Sequence, residues 1–370
     1  MPPAAPAPAT AAPPGTTRRP GVPAMPAPPV GRRSLRGLGV GRLVLWQSAV
    51  LGAVAAGGPS DALGGAATGA AAAVVIGTGV RWRGRWLSDW VLVRHRFRHR
   101  ARRALPALPA LRIRTDADRA GNRVGLAGDG NSWSALLRVE PGGDLDDLLR
   151  RLLARYDDPD LPLAGAQLVD WCSPGTGGAA RWIAIRLDPG TAARAVRARG
   201  GGQSGAVRAA GVAALRLAAD LRAAGHEVTT LDGGQLRDAW ATVLGVDPRR
   251  GGEPGTETWH SWSLGLLHQV CYRPRRAARD LADVAALLRR HATAPALVSA
   301  VSARWDRQRG GGTRSTVLIR LAVPAGPARE AVAGVLRQAT AGLDGKLVPL
   351  DGAHAEAAWA TLPLAGLPVG

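Results

Sequence analysis

The sequence predicts an α+β protein in two parts: an N-terminal two-helix transmembrane hairpin, then a cytoplasmic domain of two tandem β-α-β-β-α-β repeats in ferredoxin-like order. Three observations carry this prediction. Two uncharged stretches, 43–60 and 62–80, lie beside clustered arginines. From about residue 111 apolar residues recur with period 2 and then 3.6, punctuated by turn signals. Finally, "LDGGQLRDAWAT" (231–242) aligns without gaps to "LDGAHAEAAWAT" (350–361).

Residues 1–32 are rich in Pro and Ala and lack periodicity. Such a segment cannot bury enough apolar surface to offset its ordering entropy and is expected to be disordered. It also lacks the charged start, apolar block and cleavage site of a secretory signal. Residues 33–80 form the hairpin, with spans at about 38–58 and 62–80. Each approaches the roughly 20 residues that cross about 30 Å of hydrocarbon at about 1.5 Å per residue. The second is mostly Ala and Gly, and its Gly65-x-x-x-Gly69 suits close helix packing. Arg32, Arg33, Arg36 and Arg42 precede the pair and more arginines follow it, while the connector carries none. That is the positive-inside pattern for a two-pass inner-membrane hairpin with both termini cytoplasmic. The competing reading is a pair of soluble Ala/Gly-rich helices.

The formal net charge is +20, and Lys346 is the only lysine. Up to residue 103 there are fifteen arginines against two acids, Asp61 and Asp89. The segment 81–110 opens "RWRGRWLSDWVLVRHRFRHRARR". Trp82, Trp86, Trp90, Val93 and Phe97 recur at steps of 4, 4, 3 and 4, which predicts one face of a basic amphipathic juxtamembrane helix. Arg83, Arg85, Arg94, Arg96 and Arg98 occupy the rest of the circumference. At an anionic inner leaflet each such arginine is worth about 1 kcal/mol. Trp82, Arg83, Arg85, Trp86, Trp90, Arg94, Arg96, Phe97 and Arg98 are the candidate partner and membrane contacts. A nucleic-acid arm would use the same arginines but needs no uncharged stretch upstream, so no nucleic-acid partner is expected.

The first repeat occupies 111–250. "NRVGLAGDGNSWSALLRVE" (122–140) reads as a hairpin around Asp129-Gly130. A helix capped by Asp144 follows, with Leu145, Leu148, Leu149, Leu152 and Leu153 on one side. Strands at about 165–172 and 180–187, a helix at 206–224 ending at Gly225, a strand at 226–231 and a helix at 234–244 complete it. The second repeat, 251–370, gives a strand at 257–272, a helix at 277–292, strands at 296–304 and 314–323, a helix at 327–341, a strand at 346–350 and a helix at 352–360. The repeated motif pairs Asp232 with Asp351 and Trp240 with Trp359. Each pair reads as a helix N-cap followed by a core tryptophan.

Signals for chemistry are sparse. "GGGQSG" (200–205) fits G-x-G-x-x-G but follows no strand, and with "RGGGTRS" (309–315) it reads as a loop. Lys346 lacks Walker glycines. Asp116-x-Asp118 and Asp144-x-Asp146 resemble the carboxylate pairs of a metal-nucleotide-sugar site, which keeps a membrane-tethered glycosyltransferase-like enzyme as an alternative. A solvated loop and a helix N-terminus explain them as well. His260 and His268 have no ligand at metal spacing. No catalytic residue, cofactor or metal site is expected, and Cys172 and Cys271 read as free, partly buried thiols.

The spans, "RGRWLSDW", "NRVGLAGDGNSWSALLRV", "QLVDWCSPG", and "RWIAIRLDP" followed by "LDGGQLRDAWATVLG" together resemble EccE, a membrane component of the actinobacterial type VII (ESX) secretion system. The resemblance covers about residues 33–360 and carries structural signatures, not catalytic ones. It implies a scaffold subunit assembled with EccB-, EccC- and EccD-like partners, with a mycosin protease associated.

Overall fold

A computed structural model describes residues 40–56, 62–82, 85–100, 105–118, 120–173, 177–246, 254–274, 284–285, 288, 297–308, 311–324 and 347–367. The predicted N-terminal tail and most of the helices expected at 277–292 and 327–341 lie outside them; residues 284, 285 and 288 are helical. The chain divides into two compact units at Gly79/Val80.

The first unit is a pair of packed helices, α1 (Val40–Ala55) and α2 (Ala62–Gly79). Trp46 near the start of α1 donates its indole N–H to the Thr78 hydroxyl near the end of α2, at 2.5 Å, so the helices run antiparallel. Among the less exposed positions of α2, Gly64, Ala67, Ala71, Val74 and Thr78 are spaced 3-4-3-4 as one helix face. Gly65 and Gly69 are exposed instead, with open space beside Gly69, so this pair does not pack the hairpin. Of the expected spans, the first (about 38–58) reaches at both ends into residues outside the described ones. At 16 and 18 residues α1 and α2 rise about 24 and 27 Å, and among the described residues no helix is long and apolar enough to cross a membrane.

The second unit opens with a two-residue ladder, β1 (Arg81–Trp82) with β2 (Arg85–Trp86), and helix α3 (Leu87–Arg100). Then come β3 (Arg112–Ala117), β4 (Arg123–Gly128), β5 (Trp133–Val139), α4 (Leu145–Tyr156), β6 (Gly165–Ser173), β7 (Gly178–Leu187), α5 (Ala193–Arg197), α6 (Gly202–Ala223), β8 (Val228–Thr230) and α7 (Gly233–Leu244). The second half supplies β9 (Thr256–Glu257), β10 (Trp262–Leu264), β11 (Leu267–Pro274), β12 (Val298–Arg307), β13 (Thr313–Pro324), β14 (Leu347–Pro349) and α8 (His354–Ala360). The single strand expected at 257–272 is thus three strands, and Gly202–Gly205 open α6 instead of forming a linker. The strand expected at 314–323 is β13, which starts one residue earlier, at Thr313, and takes in the end of the loop read at 309–315.

Every described pairing in the large sheet is antiparallel. Its order is β3-β4-β5-β7-β6-β12-β13-β11-β10-β9, with β8 also beside β5 and β14 beside β11. Each half therefore places its strands in the same sequence, β8-β5-β7-β6 and β14-β11-β13-β12. The halves join through β6 and β12, paired from Gly165–Asp306 to Cys172–Ser299.

The sheet is buried on both faces. Along β5, Leu137 belongs to the core beneath α4, α5 and α6, and Leu136 to the opposite core beneath α7 and α8. Two covered faces explain why β5 reads almost wholly apolar and not as an alternating strand. Side chains also bind the halves together. The Arg307 guanidinium, in β12, donates to the carbonyls of Tyr156 (3.0 Å) and Leu163 (3.2 Å) and stacks over the Tyr156 ring. Local signals behave as read: Asp144 caps α4, accepting from the Asp146 and Asp147 amides, and Asp129 accepts from the Asn131 and Ser132 amides in the β4–β5 turn.

Candidate functional site

Of the nine candidate contact residues, Trp82, Arg85 and Trp86 fall in the β1–β2 ladder, whose side chains lie outside the description, and Arg83 falls outside it altogether. The single helical stripe is therefore overturned. The pairing of Trp82 with Arg85 spans Arg83-Gly84, a glycine-containing turn signal that competes with helix, and the helix begins only at Leu87. Trp90, Arg94 and Phe97 do share a face of α3. That face turns inward.

Its seat is Trp259, in the turn between β9 and β10. Trp90 lies 5.9 Å from the Trp259 ring centre, Phe97 meets it edge-on at 5.3 Å, and the Arg94 guanidinium lies 5.9 Å away. The turn is held by the Thr258 hydroxyl, which accepts from the His260 and Ser261 amides. Gly352 donates its N–H to the Trp259 carbonyl at 2.7 Å. Gly352 has φ of +70°, and a Cβ there would stand 2.5 Å from the Trp259 ring, so only glycine fits.

Arg100 fastens the far end of α3. Its guanidinium donates to the Gly352 carbonyl at 2.9 Å, pairs with Glu356, and lies 3.8 Å from the Glu257 carboxylate. At the near end, the Asp89 charge favours the protonated form of Arg273, whose pKa burial lowers. No residue of α3 is buried, and among the described residues these contacts tie it to the sheet. Val91, Leu92, Arg96 and Arg98 face outward and are exposed.

The repeated aspartates part company. Asp232 caps α7, accepting from the Gly234 and Gln235 amides, while the Gln235 side chain accepts from the Asp232 amide. Asp351 is not the N-cap of α8; the helix starts after Ala353, and the Ala355 amide is capped by Glu257 from β9. Asp351 is 5 % exposed and sits beside His260 (3.4 Å) and His354 (3.7 Å). Both tryptophans are core residues as expected: Trp240 is buried, and Trp359 meets Trp262 edge-on and donates to the Ala107 carbonyl.

Burial would raise the Asp351 pKa, but hydrogen bonds from His354 and His260 hold it below the ordinary carboxylate range. A depressed folded-state pKa stabilises the fold above the unfolded value, and that contribution is lost as pH falls through the folded value. Asp351→Asn is therefore expected to flatten the acid limb of a stability-versus-pH curve below about pH 4, measured by thermal melts. An unchanged acid limb would count against this role.

Trp259→Ala removes three of the contacts on α3, worth about 1–3 kcal/mol together. Tryptic cleavage within α3 is expected to accelerate severalfold while the melting of the sheet domain moves little. Unchanged cleavage would show that the helix is held elsewhere.

Asp116 and Asp118 border a cleft with Val124, Arg199, Arg208, Gly211, Val212 and Leu215. Asp118 closes its own turn, accepting from the Ala120 and Asn122 amides and the Asn122 side chain. The Asp116 carboxylate lies against Gly211 of α6, where a Cβ would be 3.0 Å away. His260 and His268 are not brought together: His260 faces Asp351, and His268 bonds Ser263 at 3.0 Å. Among the described residues no group of three or more His, Cys, Asp or Glu could hold a metal ion. Both cysteines are free and buried, and burial pushes the Cys271 thiol up to about 12. Sequence reasoning missed Trp259, Arg100, Glu257 and Gly352. Their signal existed only as isolated letters up to about 250 residues apart.

Residues 177–274, which include β7 through β11, match the family model described as "Putative type VII ESX secretion system translocon, EccE". The resemblance to EccE read from the motifs is supported by this match, which supports a component of a type VII secretion translocon. No curated protein matches the chain.

Proposed function

We propose that this chain is a non-catalytic structural subunit of a type VII secretion translocon at the inner membrane, assembled with EccB-, EccC- and EccD-like subunits. The EccE match across 177–274 carries this reading, because that segment contains the end of one half of the sheet and the start of the other. The two halves are, on this reading, tandem copies of a ferredoxin-like unit, which their identical strand orders support.

Membrane attachment falls to the α1–α2 hairpin. Val44, Leu45, Val50, Leu51, Val54, Val75 and Ile76 are exposed on it, an apolar display that water disfavours and lipid or a partner helix accepts. A two-pass arrangement with cytoplasmic termini would need each helix to run two to four residues past its described end. Exposed Arg96 and Arg98 would meet anionic headgroups or a neighbouring subunit, with a mycosin protease as a further associate.

Pull-down of a tagged full-length chain from mild detergent, followed by mass spectrometry, is expected to recover the three partner types. Arg96→Gln with Arg98→Gln should reduce recovery more than Trp90→Ala, since Trp90 is engaged within the chain. The double variant Asp116→Ala/Asp118→Ala should secrete normally. Loss of secretion in an assembled double variant would favour the enzymatic alternative.

A further inference from the structure

The outward side of α3 carries His95 and His99, one turn apart. Both are exposed, their ring centres are 4.4 Å apart in an edge-on arrangement, and among the described residues neither makes another hydrogen bond, ion pair or ring contact. The opposite side of the helix is engaged with Trp259 through Trp90, Arg94 and Phe97. We propose that His95 and His99 form a bidentate site for an imidazole-preferring divalent transition metal, with Zn2+ as the probe ion.

Residues at i and i+4 stand on adjacent turns about 5–6 Å apart at Cβ, so two imidazoles there can converge on one ion with bonds of about 2.0–2.1 Å. The surroundings choose the class of metal. Arg94, Arg96 and Arg98 flank the pair, and no carboxylate occurs among residues 90–100. Calcium and magnesium bind through oxygen and find nothing here to offset that positive charge. Zinc, nickel and copper bind neutral imidazole strongly enough to do so. Two protein ligands leave the remaining positions to water, in keeping with the lack of any described three-residue cluster.

The site has a consequence for the helix. A metal bridging two turns favours the helical form, so binding should stabilise α3 by mass action. Since α3 has no buried residue and rests on Trp259 and Arg100, added rigidity should also slow its detachment.

The test uses the full-length protein in mild detergent near pH 7.5, with Zn2+ titrated calorimetrically and α3 followed by amide hydrogen exchange. One ion is expected to bind, and exchange in α3 should slow. His99→Gln should weaken binding by at least about tenfold, the scale on which even groups supporting metal ligands matter, and should abolish the slowing. His260→Gln, at the other exposed histidine near this helix, should change neither readout. Unaltered affinity in His99→Gln, binding lost in His260→Gln, or binding that leaves α3 exchange unchanged would each overturn the assignment.

Discussion

Arg320→Ala is expected to destabilise the sheet domain by about 3–5 kcal/mol, the scale for removing one partner from a buried charged network and leaving a cavity. Arg320, in β13, is fully buried. Its guanidinium donates to the Thr361 hydroxyl (2.9 Å), the Gln269 side-chain carbonyl and the Val243 backbone carbonyl. Gln269 in turn donates to the Leu244 carbonyl at 2.8 Å. One side chain thus ties β13 to β11 and to the ends of α7 and α8. All these partners are neutral, so the cation is held by dipoles, and burial pushes its pKa down to about 10, still protonated at neutral pH. Both Arg320→Ala and Arg320→Met orphan the acceptors, but methionine keeps most of the volume and leaves no comparable cavity. The methionine variant should cost less. Melting of the alanine variant should fall by on the order of 10 °C. Equal losses in the two variants would mean that the hydrogen-bonded cation alone matters and that the cavity adds nothing.

Termination after Thr361 is the second large effect. Leu362, Leu364 and Leu367 are at most 4 % exposed and close the core beneath α7 and α8. The segment is fastened by Gln167 of β6, whose side-chain carbonyl accepts from the Leu364 (3.0 Å) and Ala365 (2.6 Å) amides. Three buried leucines at about 2–3 kcal/mol each amount to roughly 6–9 kcal/mol. That is comparable with the whole stability of a typical domain, about 5–15 kcal/mol. The shortened chain is expected not to yield folded protein. Leu364→Ala alone should fold with a lowered melting temperature. A truncated chain that melts like the full one would show that the segment is an ornament on the core.

The match between 231–242 and 350–361 shows both what the letters carry and where they stop. Asp232 and Trp240 do what the motif suggests, a helix cap and a core ring, because both roles depend on neighbours within a few residues. Asp351 stands in the same LDG…AWAT frame, but His354 replaces the Gln235 of the capping box, and Glu257, nearly a hundred positions away, supplies the cap of α8. "IRL" also occurs twice. Arg186 reaches Asp306 and the Ala164 carbonyl at a partly exposed position, while Arg320 is enclosed. The tryptophan stripe had helical spacing over 82–97, but the helix begins only at Leu87, and spacing alone does not say which side of a helix meets the rest of the chain.

By itself the sequence determined the mixed α+β class, the turns at Asp129-Gly130 and Gly225, the caps at Asp144 and Asp232, and the resemblance to EccE. These depend on periodicity, turn chemistry and local hydrogen bonding, which act over a few residues. Only the tertiary structure decided that β6 and β12 join the halves into one sheet, that Arg320 lies at its centre, and that the aromatic face of α3 closes on Trp259. Those outcomes rest on strand edges and rings meeting across more than a hundred residues. Each edge and each ring has many chemically equivalent partners along the chain, and only the packing of the whole selects one.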